Sequence, residues 1–375
     1  MLVTKAKRLL ATLAGWAASV YAGGASAEYA LNLRPGVTPI SREAYDLHML
    51  IMWICVAIGI VVFGAIFISI VKHRKSKGVQ PAQFHESTTV EIIWTVIPFL
   101  ILIGMAIPAT KALVAMEDTS NSDLTIKVTG YQWKWGYDYI DDGVSFISSL
   151  ATPKEQIFDM QQKGENYLLE VDNPLVVPTN KKVRLLITAS DVIHAWWVPD
   201  LGMKKDAIPG FVNEMWFEID TEGTYRGQCA ELCGKDHGYM PIVVIAKNEA
   251  DYGKWLSAQK TASDAVAAAA EREWGMSELL ERGEKVYNTS CAACHQANGE
   301  GVPGAFPSIK GSAVATGPSG DHLALVMNGK AGTAMAAFAG QLSDVDLAAV
   351  VTYQRNAWGN NVGDLIQPAE VKAAR

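Results

Sequence analysis

Cys229, Cys233, His237 and Met240 fall within twelve residues, in the order Cys-Ala-Glu-Leu-Cys-Gly-Lys-Asp-His-Gly-Tyr-Met. A loop with this spacing can fold two thiols, an imidazole and a thioether around one centre. Thiolate and thioether are soft donors and imidazole suits copper, so the set favours copper over Mg or Ca. A second imidazole would balance a two-copper centre. His194, in Ser-Asp-Val-Ile-His-Ala-Trp-Trp at the end of an expected strand, is the candidate. Single-copper sites of the blue type use one Cys, two His and a weak axial Met. The additional Cys here lets two sulfurs bridge two coppers. Two rival readings exist. A closed structural Zn site would have no use for Met240, and a disulfide would leave His237 and Met240 as coincidences.

A second cluster follows downstream. Cys291-Ala-Ala-Cys294-His295 is a C-x-x-C-H haem c attachment signature. The two cysteines lie one helical turn apart, so both can form thioethers with the haem vinyls, and His295 then falls on the iron. The rival reading is a free C-x-x-C redox pair. Met/His ligation raises the potential of such a haem, so a downstream Met is expected as the second axial ligand. Met335 and Met327 are the candidates.

These clusters must be held by something, and the chain is long enough to do it in several domains. It has 375 residues, 49% of them apolar, and a net charge of -7. That charge argues against nucleic-acid binding, which needs clustered Lys and Arg on phosphates. No Gly-x-Ser-x-Gly elbow and no Gly-rich phosphate loop before a helix occurs. The five cysteines are two close pairs, each with a His nearby, plus Cys55 alone in an apolar run. That is a metal and haem pattern rather than a disulfide framework.

Residues 1–27 have the form of a secretory leader: a basic head (Lys5, Lys7, Arg8), a short apolar stretch, and Ala25-Ser26-Ala27 as a cleavage pattern. Two long apolar runs, 47–71 and 90–114, are each long enough to cross a ~30 Å bilayer core, and they make a two-helix transmembrane hairpin over 40–115. The loop between them carries Lys72, His73, Arg74, Lys75 and Lys77, while Glu117, Asp118 and Asp123 lie beyond the second run. The positive-inside rule puts that loop in the cytoplasm and the outer ends in the periplasm.

From 122 to 247 short alternating strands predict an all-β sandwich. Leu124, Ile126 and Val128 alternate with polar residues, and after Gly130 the large side chains shift phase to Tyr131, Trp133, Trp135, Tyr137 and Tyr139. A β-bulge at Gly130 would produce that slip. Residues 248–275 read as an Ala-rich linker or loose helix, 276–360 as a compact all-α domain closed by a helix at 343–356, and 361–375 as a tail. Tyr353 reads as core packing. Within 278–360 there are seven acidic and five basic residues, so this module is not a strongly basic one. A covalent tether would replace charge attraction with high effective concentration.

C-x-E-x-C-x3-H-x2-M, with the upstream D-x-x-H at Asp191–His194 and the Gly130-Tyr-Gln-Trp-Lys-Trp stretch, resembles the CuA domain of cytochrome c oxidase subunit II. The likeness covers roughly 40–246, and 276–360 is similar to small class I cytochromes c. The resemblance implies a multidomain chain: the transmembrane hairpin, an all-β cupredoxin-like Greek-key sandwich and an all-α cytochrome c domain. It implies that His194, Cys229, Cys233, His237 and Met240 are ligands of a dinuclear copper centre (CuA). Glu231 would give its backbone carbonyl to copper and its side chain to a Mg ion at the interface with subunit I. Trp133 would be the electron-input residue and Glu91 the mouth of a proton path. A capping box, Thr88-Thr-Val-Glu91, is the rival role for Glu91. For Trp135 the plainer reading is a core aromatic. Asp191 and Asp138 are candidate acids of a docking face. Met335 fits the cytochrome c pattern for the axial Met of a covalent haem c, without the usual following Pro.

The expected function is electron input to a haem–copper terminal oxidase of the bacterial inner membrane. Electrons would come from a soluble or membrane cytochrome c, or through the fused haem c. They would pass through CuA to the haems of subunit I, where oxygen is reduced to water and protons are pumped. Of the seven histidines three are taken as ligands, which leaves no cluster for an oxygen site in this chain. Alternatives are the CuA subunit of a nitric oxide reductase and a non-catalytic copper carrier.

Overall fold

The computed structural model describes residues 32–80, 83 and 85–375, so the expected leader at 1–27 lies outside the described residues. Two long helices come first, α1 (Pro39–Lys72) and α2 (Thr88–Glu117). Thr38 starts α1: its hydroxyl accepts from Ser41 N at 3.0 Å and donates to Leu201 O at 2.9 Å, and Pro39 occupies the first helical position, where its missing N–H costs nothing. The helix therefore begins ahead of the apolar run, with its first turn buried in the domain that follows. Beyond that turn the apolar side chains of both helices face outward, Ile60, Phe63, Phe99 and Leu102 among them. Large exposed apolar faces of this length are what lipid or a partner subunit covers.

The middle of the chain is a sandwich of two five-stranded sheets. One has the order β3-β2-β1-β5-β8 and the other β4-β10-β9-β6-β7. The strands are β1 (Leu124–Tyr131), β2 (Lys134–Tyr139), β3 (Val144–Ser148), β4 (Leu175–Pro178), β5 (Lys182–Ala189), β6 (His194–Val198), β7 (Met203–Ala207), β8 (Asn213–Glu218), β9 (Gly223–Cys229) and β10 (Pro241–Lys247). The chain crosses repeatedly between sheets, so β1 pairs parallel to β5, and β4 parallel to β10. Alternation fills the interior: Ile126 faces Leu185 and Val128 faces Ile187 across the β1–β5 pair, all fully buried.

The expected bulge at Gly130 is not what changes the phase. β1 ends at Tyr131, Gln132 and Trp133 form a tight turn, and β2 returns antiparallel with Gly130 opposite Trp135. A turn restarts the inward–outward count according to cross-strand pairing, and a sequence reading cannot distinguish that from a slip within one strand. Gly130 serves a different need, because a Cβ there would lie 2.7 Å from His194 Cδ2.

The expected linker contains a continuous helix, α3 (Glu249–Glu271), capped by Asn248, whose side-chain oxygen accepts from Asp251 N at 3.0 Å. Tyr252 and Trp255 anchor it on the sandwich, with the Trp255 ring 5.3 Å from that of Tyr139. The helical module follows: α4 (Met276–Ser290), α5 (Ala292–His295), α6 (Ser319–Asn328), α7 (Asp344–Asn356) and α8 (Pro368–Ala374). α4 and α7 cross in contact at Gly283, where a Cβ would be 2.1 Å from Ala349 O. Tyr353 packs with Tyr287 and Trp358, as core packing predicts. The expected tail is part of this module. Ile366 and Val371 are buried in its core, and the Arg355 guanidinium, itself buried, binds Asp364 and the carbonyls of Ala315 and Gly317. Two apolar residues around Pro368 are too few to reveal a helical period in the sequence.

Candidate copper and haem sites

β9 ends at Cys229 and β10 begins at Pro241, so the segment between them is a hairpin loop that folds back over the strand ends. β6 pairs with β9, placing Trp196 opposite Cys229 and His194 at the same edge. The ligating atoms of His194, Cys229 and Cys233 all lie within 4.8 Å of one another, and all three residues are buried. The two sulfurs are 3.8 Å apart. His237 Nδ1 is 3.4 Å from Cys233 Sγ, and Met240 Sδ is 3.5 Å from the same sulfur. The loop thus gathers both thiols, both imidazoles and the thioether, a donor set suited to copper. The Glu231 carbonyl oxygen is 3.3 Å from Cys229 Sγ, and the residue is exposed.

The thiols and His194 share charge. Hydrogen bonding with Cys233, aided by His194, pulls the Cys229 thiol well below its ordinary range although burial opposes it. Cys233 is pushed up, first by its bond to Cys229 and then by burial. A metal ion binds such sulfurs as thiolates, so its binding there would release their protons. Burial opposes charging of His194, but Asp191 and Cys229 outweigh it and raise its pKa.

Several groups that set this geometry were not assigned that role from sequence. Asp191 is not an acid of the outer face. Its Oδ1 lies 2.9 Å from His194 Nε2 and its Oδ2 accepts from Gln132 N at 2.7 Å. That leaves His194 Nδ1 turned to the thiols, 3.9 Å from Cys229 Sγ. The turn between β1 and β2 clamps the loop from the other sheet. Gln132 Nε2 and Trp133 Nε1 both donate to Cys233 O, at 2.8 and 3.2 Å, and Trp135 Nε1 donates to Met240 O at 3.3 Å. Trp135 is fully buried, as a core aromatic should be; Trp133 is half-buried. Asp138 stays on the surface, 3.7 Å from Lys127 Nζ. The signal for Asp191 was its spacing, three residues before a buried His.

In the helical module Cys291 closes α4, and Cys294 and His295 follow on the single turn of α5, whose backbone N–H of His295 donates to Cys291 O at 3.0 Å. His295 Nδ1 donates to Pro307 O at 2.9 Å, which fixes the ring and leaves Nε2 free, the arrangement an axial haem ligand requires. Met327 is buried in the apolar core on α6, whereas Met335 sits half-buried in the loop after it. Burial raises the pKa of both thiols, that of Cys291 to about 12. Both donor sets fit the groups their motifs call for.

Glu91 lies on the exposed first turn of α2. The helix is capped at Ser87 with no side-chain hydrogen bond, so the Thr88–Glu91 capping box is not formed. The box fails because the helix starts one residue early, which makes Thr88 helical and moves Glu91 out of register with the cap.

The family described as cytochrome C oxidase subunit II, periplasmic domain, matches residues 124–247, and its transmembrane domain matches 26–112. The family described as cytochrome C oxidase, cbb3-type, subunit III, matches 278–353. The probable cytochrome c oxidase subunit 2 of Rickettsia prowazekii (strain Madrid E) is 41% identical over 228 residues, 60% of this chain and 71% of that protein. Cytochrome c oxidase subunit 2 of Cereibacter sphaeroides is 36% identical over 236 residues, 60% of this chain and 78% of that protein. Among solved structures, the periplasmic domain of subunit II of cytochrome oxidase of Bradyrhizobium japonicum is 43% identical, covering 38% of this chain and 97% of that one, with a TM-score of 0.35. The chain belongs to the cytochrome c oxidase subunit II family and carries a cytochrome c domain at its C-terminal end.

Proposed function

We propose that this chain is the electron-input subunit of a haem–copper terminal oxidase of the bacterial inner membrane, passing electrons from a cytochrome c donor or its own haem c, through dinuclear CuA, to the haems of subunit I, where oxygen is reduced to water and protons are pumped. The observation that carries this reading is the gathering of His194, Cys229 and Cys233 within 4.8 Å, with His237 and Met240 supplied by the same loop. Copper and haem would each supply a centre that accepts and returns one electron at a time.

The protein's part is to hold these centres still. His194, Cys229, Cys233, His237 and Met240 would bind the two coppers, with the Glu231 carbonyl beside them. The Glu231 side chain, exposed, would reach a Mg ion shared with subunit I. Cys291 and Cys294 would hold haem c covalently, and His295 and Met335 would ligate its iron. Trp133, hydrogen-bonded to Cys233 O, would carry electrons toward the copper loop. Glu91, exposed at the cytoplasmic end of α2, would take up protons for subunit I.

The test is the optical spectrum of the purified, assembled oxidase, together with oxygen uptake on ferrocytochrome c. Haem c bands, a near-infrared copper band and oxygen uptake are expected. Oxygen uptake without the near-infrared band would reject the copper reading.

A further inference from the structure

Lys134 opens β2 directly after Trp133, and its ammonium lies over the ring of Phe338 in the helical module, 5.8 Å from the ring centre. Two residues on, a Cβ at Gly340 would sit 3.3 Å from Tyr131 Oη. The turn between β1 and β2 therefore meets the loop that follows Met335. Gln132 and Trp133 of this same turn donate to Cys233 O of the copper loop. On the far flank Lys235 stands over the Trp133 ring, 5.8 Å from its centre, and Lys235 and Asp236 are near enough to Cys294 to act on its thiol. Burial draws the Lys134 pKa down, as expected of an ammonium shut into a seam rather than one left in water.

We propose that the turn 131–134 is a docking face for the chain's own haem module, with Tyr131 and Lys134 as positioning residues that hold the Cys291–His295 segment over the copper loop. This rests on the electron-relay reading above and names its internal partner. The seam is a cation on an aromatic face and a close approach to a glycine, not an array of paired surface charges. A cation over an aromatic ring is favourable at short range and gains when desolvated. The tether through α3 raises the module's effective concentration at this face, so a few such contacts suffice to set its orientation. Gly340 follows from the same geometry, since a larger side chain there would push against Tyr131.

The test uses the intact chain in the assembled oxidase. A photo-reactive benzophenone side chain placed at position 338 should cross-link to the peptide holding residues 131–134; cross-links only to other surfaces would overturn the docking face. Transfer from haem to copper is then followed after rapid photoreduction of the haem. Lys134→Glu and Gly340→Trp, which disturb the seam from its two sides, should each slow that transfer about tenfold or more with haem and copper bands unchanged. Lys134→Arg, which keeps the cation, should stay near the unaltered rate. Raising salt to about 0.5 M should leave the unaltered rate nearly constant, because a desolvated contact is weakly screened. Unaltered transfer in both disturbed variants would reject the docking face alone. Absence of haem-to-copper transfer in the unaltered chain would reject the relay reading itself.

Discussion

Asp191 Oδ1 lies 2.9 Å from His194 Nε2, and the other nitrogen of that ring faces the Cys229 thiol. A carboxylate behind an imidazole fixes its tautomer, orients the ring and strengthens it as a ligand. Removing the charge by Asp191→Asn should lower copper affinity about 10- to 100-fold. Titration of the assembled protein against a copper chelator measures this, and an unchanged affinity would mean the carboxylate plays no part in holding the site.

Met240 is buried with its sulfur 3.5 Å from Cys233 Sγ. Leu has nearly the same volume, so Met240→Leu should cost under about 1.5 kcal/mol of stability. The near-infrared copper band should shift all the same, because a donor has been lost. A band identical to that of the unaltered protein would remove Met240 from the ligand set.

Trp135 both fills the core and donates to Met240 O. Trp135→Phe leaves an unmatched carbonyl and a smaller ring, which should cost about 2–3 kcal/mol. A thermal unfolding midpoint unchanged in that variant would contradict the clamp.

Much of this site was legible because ligand chemistry is local in sequence. Four of the five candidate copper donors lie on one loop, and the haem signature is five consecutive residues. The long apolar runs were equally plain, since a span is a property of composition. What stayed hidden depends on contacts between distant strands. Gln132 and Asp191 act on the loop only because β1 and β5 lie side by side and carry their ends to one edge of the sandwich. The hairpin at Gln132–Trp133 resembled a bulge, and Ile366 and Val371 resembled a tail until the groove that buries them was known.

His322 is buried in the haem module with no partner for its Nδ1, and burial lowers its pKa to about 4 from an ordinary 6.5. The unfolded chain takes up this proton first as pH falls. The neutral ring therefore adds stability that is complete above pH 6.5 and is lost progressively as pH drops toward 4, up to about 3 kcal/mol. Urea unfolding followed by the haem band at several pH values should show this slope, and His322→Gln should flatten it. Equal slopes in the two proteins would contradict the assignment.

Glu91 makes no capping bond, so Glu91→Ala should leave α2 intact and the copper and haem bands unchanged. Turnover of the full complex should fall severalfold if this carboxylate admits protons. Equal turnover would leave Glu91 without a role in the proton path.

The most direct measurement is metal analysis of the intact, assembled protein, set against its protein and haem content. Two copper atoms and one covalently bound haem are expected for each chain. One copper atom, or zinc in place of copper, would contradict this expectation.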